Sequence, residues 1–152
     1  MKIDHIIIHC SDSEFGSAAL IRQWHMQGNG WADVGYHFVI ANGQLAPGLH
    51  LPAMDGAVEQ GRLIDADGEL KKGEIGAHAL GMNDRAIGIC LIGVKHFTPR
   101  QLGSLFALVG ELAHRYKIPP SQVLGHCELP QAGGKTCPNL DMAALRSLLG
   151  GV

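Results

Sequence analysis

Apolar and polar positions fall in blocks along this chain, and the period of the pattern changes from block to block. Ile3 to His9 is β-branched and almost continuously apolar, as expected of a strand buried on both faces of a sheet. Its end, His9-Cys10-Ser11-Asp12, is polar and turn-prone. From Ser17 to Gln27 the spacing is helical, with Ala18, Ile21, Trp24 and His25 on one side and Gly28-Asn29-Gly30 as the stop. Gly35 to Ile40 alternates, which predicts a second strand with Tyr36, Phe38 and Ile40 on one face and His37 and Val39 on the other. Asn42 to Met54 holds two prolines and two glycines without a period, and predicts an irregular excursion before a short strand at Ala57 to Glu59.

Further on, Ala86 to Ile92 is a short apolar run, predicted to be a central strand. Thr98-Pro99 is a helix cap followed by proline at the first helical position. Leu102, Leu105, Phe106, Val109, Leu112 and Tyr116 carry that helix to about Lys117, where Pro119-Pro120 forbids continuation. Gln122-Val123-Leu124 reads as a short strand, and Asp141 caps a last helix through Leu149. Strands interleaved with helices predict an α/β fold: a single domain over 1–152 with a mixed central sheet flanked by helices on both faces.

Composition narrows the function. The chain has 152 residues, 46% of them apolar, which suits one core. Twelve basic against fourteen acidic residues give a net charge of −2. With no basic stripe, nucleic acid is not an expected partner. No apolar run approaches the roughly 20 residues of a membrane span. Ile6-Ile7-Ile8, preceded by Asp4 and His5, is too short for the apolar part of an export signal. A cytoplasmic monomer is expected, in which Cys10, Cys90, Cys127 and Cys137 stay thiols unless a metal claims them.

The densest chemistry lies between Gly125 and Asn139, where a glycine- and proline-rich loop holds His126, Cys127, Glu128, Lys135 and Cys137. His126 follows a strand directly, as His9 does, and residues at neighbouring strand ends can converge. With Cys137 they make a His-His-Cys set, three protein ligands that leave a fourth position open, as in catalytic zinc sites. Such an ion lowers the pKa of a bound water to about 7 and polarises a carbonyl. Amide hydrolysis also needs donors for the developing oxyanion. Lys135, two residues before Cys137, and Tyr36, near a strand start, are the candidates. Each has a plainer reading: a lone strand-end histidine as a surface residue, Lys135 as a solvated lysine, Tyr36 as a core aromatic. Cys10 and Cys90 read as small buried hydrophobes, with Cys10 turned from the face of His9, and His37 as structural. Glu128 is either a partner of a ligand or an exposed carboxylate. The spacings match no zinc finger and no deaminase pattern.

Taken together, Ile8-His9-Cys10-Ser11, Ile21-Arg22-Gln23-Trp24-His25, Trp31 to Phe38, Gly76-Ala77-His78-Ala79, Asn83 with Ile87 to Leu91, Phe97-Thr98-Pro99 and Lys135-Thr136-Cys137-Pro138 resemble a known family. It is that of the zinc-dependent N-acetylmuramoyl-L-alanine amidases of the bacteriophage T7 lysozyme type, related to the peptidoglycan recognition proteins. The resemblance implies Zn2+ on His9, His126 and Cys137, catalytic roles for Tyr36 and Lys135, and a substrate contact at His78. It implies cleavage of the amide between N-acetylmuramic acid and L-alanine in peptidoglycan or a muropeptide. A phage or prophage endolysin reaching the wall through a separate membrane lesion is expected. A muropeptide-recycling enzyme and a non-catalytic peptidoglycan-binding module are the alternatives. Three departures stand out: the length of Asn42 to Met54, the interval from His126 to Cys137, and no counterpart before Met1 of the arm by which the T7 protein binds RNA polymerase. That regulatory activity is not expected here.

Overall fold

Ile6, Ile7 and Ile8 leave no polar side chain for water, so their strand needs neighbours on both edges and cover on both faces. In the computed structural model, which describes Met1–Gly151, β1 (His5–Cys10) is the second strand from one edge of a five-stranded sheet. Val152, the last residue of the expected 1–152 span, lies outside the described residues. With β2 (Phe38–Ala46), β3 (Leu49–Gln60), β4 (Ala86–Leu91) and β5 (Val123–Gly125), the order is β3-β2-β4-β1-β5. Only β2 and β3 pair antiparallel; β2 with β4, β4 with β1 and β1 with β5 are parallel. The mixed sheet is the one expected.

One face packs on α2 (Pro99–Tyr116) and α3 (Met142–Gly150), where Leu105, Val109, Leu112 and Met142 meet Ile6, Ile8, Ile40 and Ile89. The other packs on α1 (Ala18–Gln23), whose Ala18 and Ile21 join Val34, Val39, Cys90 and Ile92. Below α1, loop residues Ala79 and Leu129 cover Ile7 and Ala86. The predicted caps are present. Thr98 and Gln101 form a reciprocal capping box, Lys117 ends α2 in the left-handed region at φ 56°, and Asp141 caps α3. No helix among the described residues is long and apolar enough to cross a membrane.

Three expectations change. Asn42 to Met54 is not irregular but most of a hairpin, β2 running to Ala46 and β3 from Leu49. Register shifts at Asn42 and Gln44 break the period of two, and Pro52 is tolerated because β3 is an edge strand. The helix from Ser17 narrows to Ala18–Gln23 and continues as a π turn, Trp24–Gly28, which leaves Trp24 exposed and swings His25 toward the loop before β2. Tyr36 precedes β2 and packs on the side of Val39 instead of Phe38, because the alternation does not reach back beyond the strand start.

Gln101 is fully buried, and its amide ties α2 to the sheet. Nε2 donates to Ile40 O at 3.1 Å and Ile92 O at 2.8 Å, while Oε1 accepts from the Thr98 N–H at 2.9 Å. Gln101→Leu removes these bonds at similar volume and should cost about 1–3 kcal/mol in chemical denaturation. A variant within error of wild type would show that the tie carries no stability.

Candidate active site

β1 and β5 are in register from Ile6 opposite Val123 to Ile8 opposite Gly125, so His9, still inside β1 and paired with Cys90 of β4, stands beside His126, the first residue after β5. Their ring centroids are 4.7 Å apart. After His126 the chain winds through two 3-10 turns, His126–Glu128 and Pro130–Ala132, and returns. The Cys127 N–H donates to Cys137 O at 2.8 Å, and the Cys10 N–H donates to Cys137 Sγ at 3.1 Å. One donor atom from each of His9, His126 and Cys137 then lies within 4.8 Å of the others, a geometry that could hold a metal ion. They line an open cleft of about 500 Å³ together with Tyr36, His78 and Lys135.

Glu128 neither touches this cluster nor hangs free. Its carboxylate accepts from the Gly125 N–H at 2.8 Å and takes two bonds from Arg146, at 2.8 and 2.9 Å, anchoring the loop to α3. Asn139 holds the far end, donating to Val94 O at 2.7 Å. Cys10 is buried as expected, yet its thiol lies beside Cys137, so it belongs to the wall of the cleft.

Tyr36 is set by the loop before β2. Arg22 donates to Asp33 at 2.9 Å, Asp33 accepts from the Val34 N–H at 2.7 Å, and His25 Nδ1 accepts from the Gly35 N–H at 2.9 Å. Gly35 is required by close approach, since a Cβ there would stand 2.3 Å from Ala77 O. The Tyr36 ring lies 5.1 Å from that of His9. Burial, reinforced by the neighbouring Cys90 and Cys137 thiols, raises the Tyr36 pKa well above its usual value, so the phenol stays a donor. Lys135 is exposed on the rim and makes no ion pair among the described residues.

The family model for N-acetylmuramoyl-L-alanine amidase matches residues 1–140. The chain belongs to that family. The endolysin of Escherichia phage T7 is 35% identical over 150 residues, covering 91% of this chain and 82% of that protein. Among solved structures, the N-acetylmuramoyl-L-alanine amidase LysC from Clostridium intestinale superposes with a TM-score of 0.76 at 26% identity, over 99% of this chain and 87% of that one. Wild-type Drosophila PGRP-LB gives 0.68 at 25% identity, over 97% and 82%.

Within this family fold, residues that periodicity did not single out shape the cleft. Helical spacing places His25 on a helix side, but it lines the cleft, its ring tilted 56° to that of Trp31 with centroids 4.7 Å apart. A histidine among apolar neighbours on a helix side was the available signal. Asn83 accepts from the N–H groups of His78 and Ala79 at 2.8 and 2.9 Å, fixing the turn that presents His78.

Burial dominates the site's protonation. It pushes His9 well below the usual imidazole value, with His78 and His126 adding to the effect, and it lowers His126, assisted by Lys135. His37 is lowered to about 4, and His78, pressed further by the neighbouring His37, to about 3. Both are neutral when folded, whereas in the unfolded chain they take a proton near the ordinary imidazole value of 6.5. The unfolded state therefore binds more protons below about pH 6.5, and stability falls with pH from there. The thermal midpoint of metal-free protein should decline between pH 7 and 5, above the carboxylate range. A flat profile across that interval would mean that these imidazoles are solvated.

Proposed function

We propose that this chain hydrolyses the amide between N-acetylmuramic acid and L-alanine in peptidoglycan, as a zinc-dependent endolysin of a phage or prophage. The observation that carries this is the convergence of His9, His126 and Cys137 in a cleft that also holds Tyr36 and Lys135. Two imidazoles kept neutral by burial and one cysteine sulfur form a borderline-soft donor set that fits zinc and leaves a coordination position open. When bound there, zinc supplies a Lewis acid for the scissile carbonyl and a water of lowered pKa.

The protein's own groups do the rest. Cys137 would give up its proton to serve as a ligand. The adjacent Cys10 thiol and burial raise its pKa, while the Cys10 N–H donated to Sγ favours the thiolate. Tyr36, held protonated, donates to the oxygen that gains charge as water adds to the carbonyl. Lys135 brings a positive charge from the rim toward the same oxygen. His78 forms part of the cleft wall and is the proposed contact for the substrate's amide-bearing arm. Residues 1–152 act as one amidase domain, as a monomer and without nucleic acid or membrane as partner. The likeness to phage endolysins supports synthesis in the host cytoplasm and access to the wall through a separate lesion, in preference to muropeptide recycling.

Digestion of purified peptidoglycan should release free stem peptides that begin at L-alanine, seen by mass spectrometry, with glycan strands left uncut. Products cleaved elsewhere, or none from zinc-loaded protein, would overturn the assignment. Cys137→Ala should lose metal and turnover together, by elemental analysis and the same digest. Lys135→Ala should keep its metal and lose on the order of 10²-fold in rate. Near-normal turnover in that variant would return Lys135 to the role of a solvated loop residue.

A further inference from the structure

We infer that His78 is a positioning residue that fixes the tautomer of His9 and thereby selects Nδ1 as the nitrogen His9 offers to a metal. The inference rests on the metal reading of the site given above. The hydrogen-bond chain starts at a group that can only accept. His78 Nε2 lies 3.1 Å from Ala86 O, and a carbonyl has no proton to give, so Nε2 must carry the hydrogen. A neutral imidazole has one N–H, which leaves His78 Nδ1 as a lone pair. Among the described residues no carboxylate lies within ion-pair distance of His78 or His9, so nothing there holds a second proton on either ring. His9 Nε2 is 2.9 Å from His78 Nδ1, so it must be the donor there. His9, buried and with its one N–H given to His78, is left with a bare Nδ1.

The seat for His78 is built, not incidental. Its backbone N–H and that of Ala79 are held by Asn83 at 2.8 and 2.9 Å. The His78 and His9 rings meet edge-on at 89° with centroids 5.0 Å apart, which aims nitrogen at nitrogen. Central strand β4 carries glycine where this ring lies: a Cβ at Gly88 would come within 2.6 Å of it, and one at Gly76 within 2.7 Å. Metal-ligating histidines commonly hand their second N–H to a carboxylate or carbonyl, which orients the ring. Here an imidazole takes that part and is itself fixed by the Ala86 carbonyl.

Asparagine and leucine have nearly the same shape, but only asparagine keeps an oxygen acceptor close to where Nδ1 stood. His78→Asn and His78→Leu should both show native circular dichroism. Zinc affinity, measured by competition with a chromophoric chelator, should fall about 10- to 100-fold in the leucine variant and stay within about three-fold of wild type in the asparagine one. Independently of any metal, long-range proton–nitrogen NMR on ¹⁵N-histidine metal-free protein should find His9 as the Nε2–H tautomer in wild type and His78→Asn, and a mixture in His78→Leu. Wild type with His9 as the Nδ1–H tautomer, equal affinity in all three proteins, or equal loss in both variants would overturn the inference. Wild-type protein that binds no zinc would sink the metal reading, while the NMR result would still report on the His78 to His9 bond.

Discussion

Parallel pairing of β1 with strands on both its edges is the constraint from which the site follows. Parallel neighbours end at the same edge of a sheet, so His9, near the end of β1, meets His126, the first residue after β5, without special loop geometry. The pairing is possible only because β1 is apolar on both faces, and it requires cover on both, which α2 and α3 supply on one side and α1 with the Ala79 and Leu129 loops on the other. Cys137 is the only one of the three donors that depends on a long loop. It is also the one with most restraints, through Cys10, Cys127, Asn139 and the Glu128 to Arg146 anchor.

A cluster of buried imidazoles is costly unless each polar nitrogen finds a partner. Here the partners come from backbone and, between His9 and His78, from the other ring. His37 accepts from the Gly88 N–H at 3.0 Å and donates to Glu74 O at 2.7 Å, and His78 donates to Ala86 O. The two rings therefore join the 74–79 loop to β4 while staying uncharged. This spares the three candidate donors a neighbouring positive charge at the bottom of the cleft, and leaves Lys135 on the rim as the cation closest in sequence to one of them.

Much of this is legible in the sequence. The apolar run of β1, the capped α2 and the strand-end context of His9 and His126 depend on local pattern, and local pattern was enough. The hairpin was missed because bulges at Asn42 and Gln44 destroy the alternation by which strands are read, and the bend after Gln23 because a π turn leaves no mark on helical spacing. Tyr36 was assigned to the wrong face of its strand for a related reason: side-chain direction follows the pleat only inside the strand. What no spacing could disclose is the contact between residues far apart in sequence, such as His78 with His9 and Cys10 with Cys137.

The central claim is that His9, His126 and Cys137 bind one zinc as a set. X-ray absorption at the zinc edge, on protein loaded with one equivalent, tests it most directly. A single sulfur with nitrogen and oxygen neighbours in wild type, and no sulfur in Cys137→Ala, is the predicted result. A shell without sulfur in wild type, or one with two or more, would place the metal elsewhere and contradict the site.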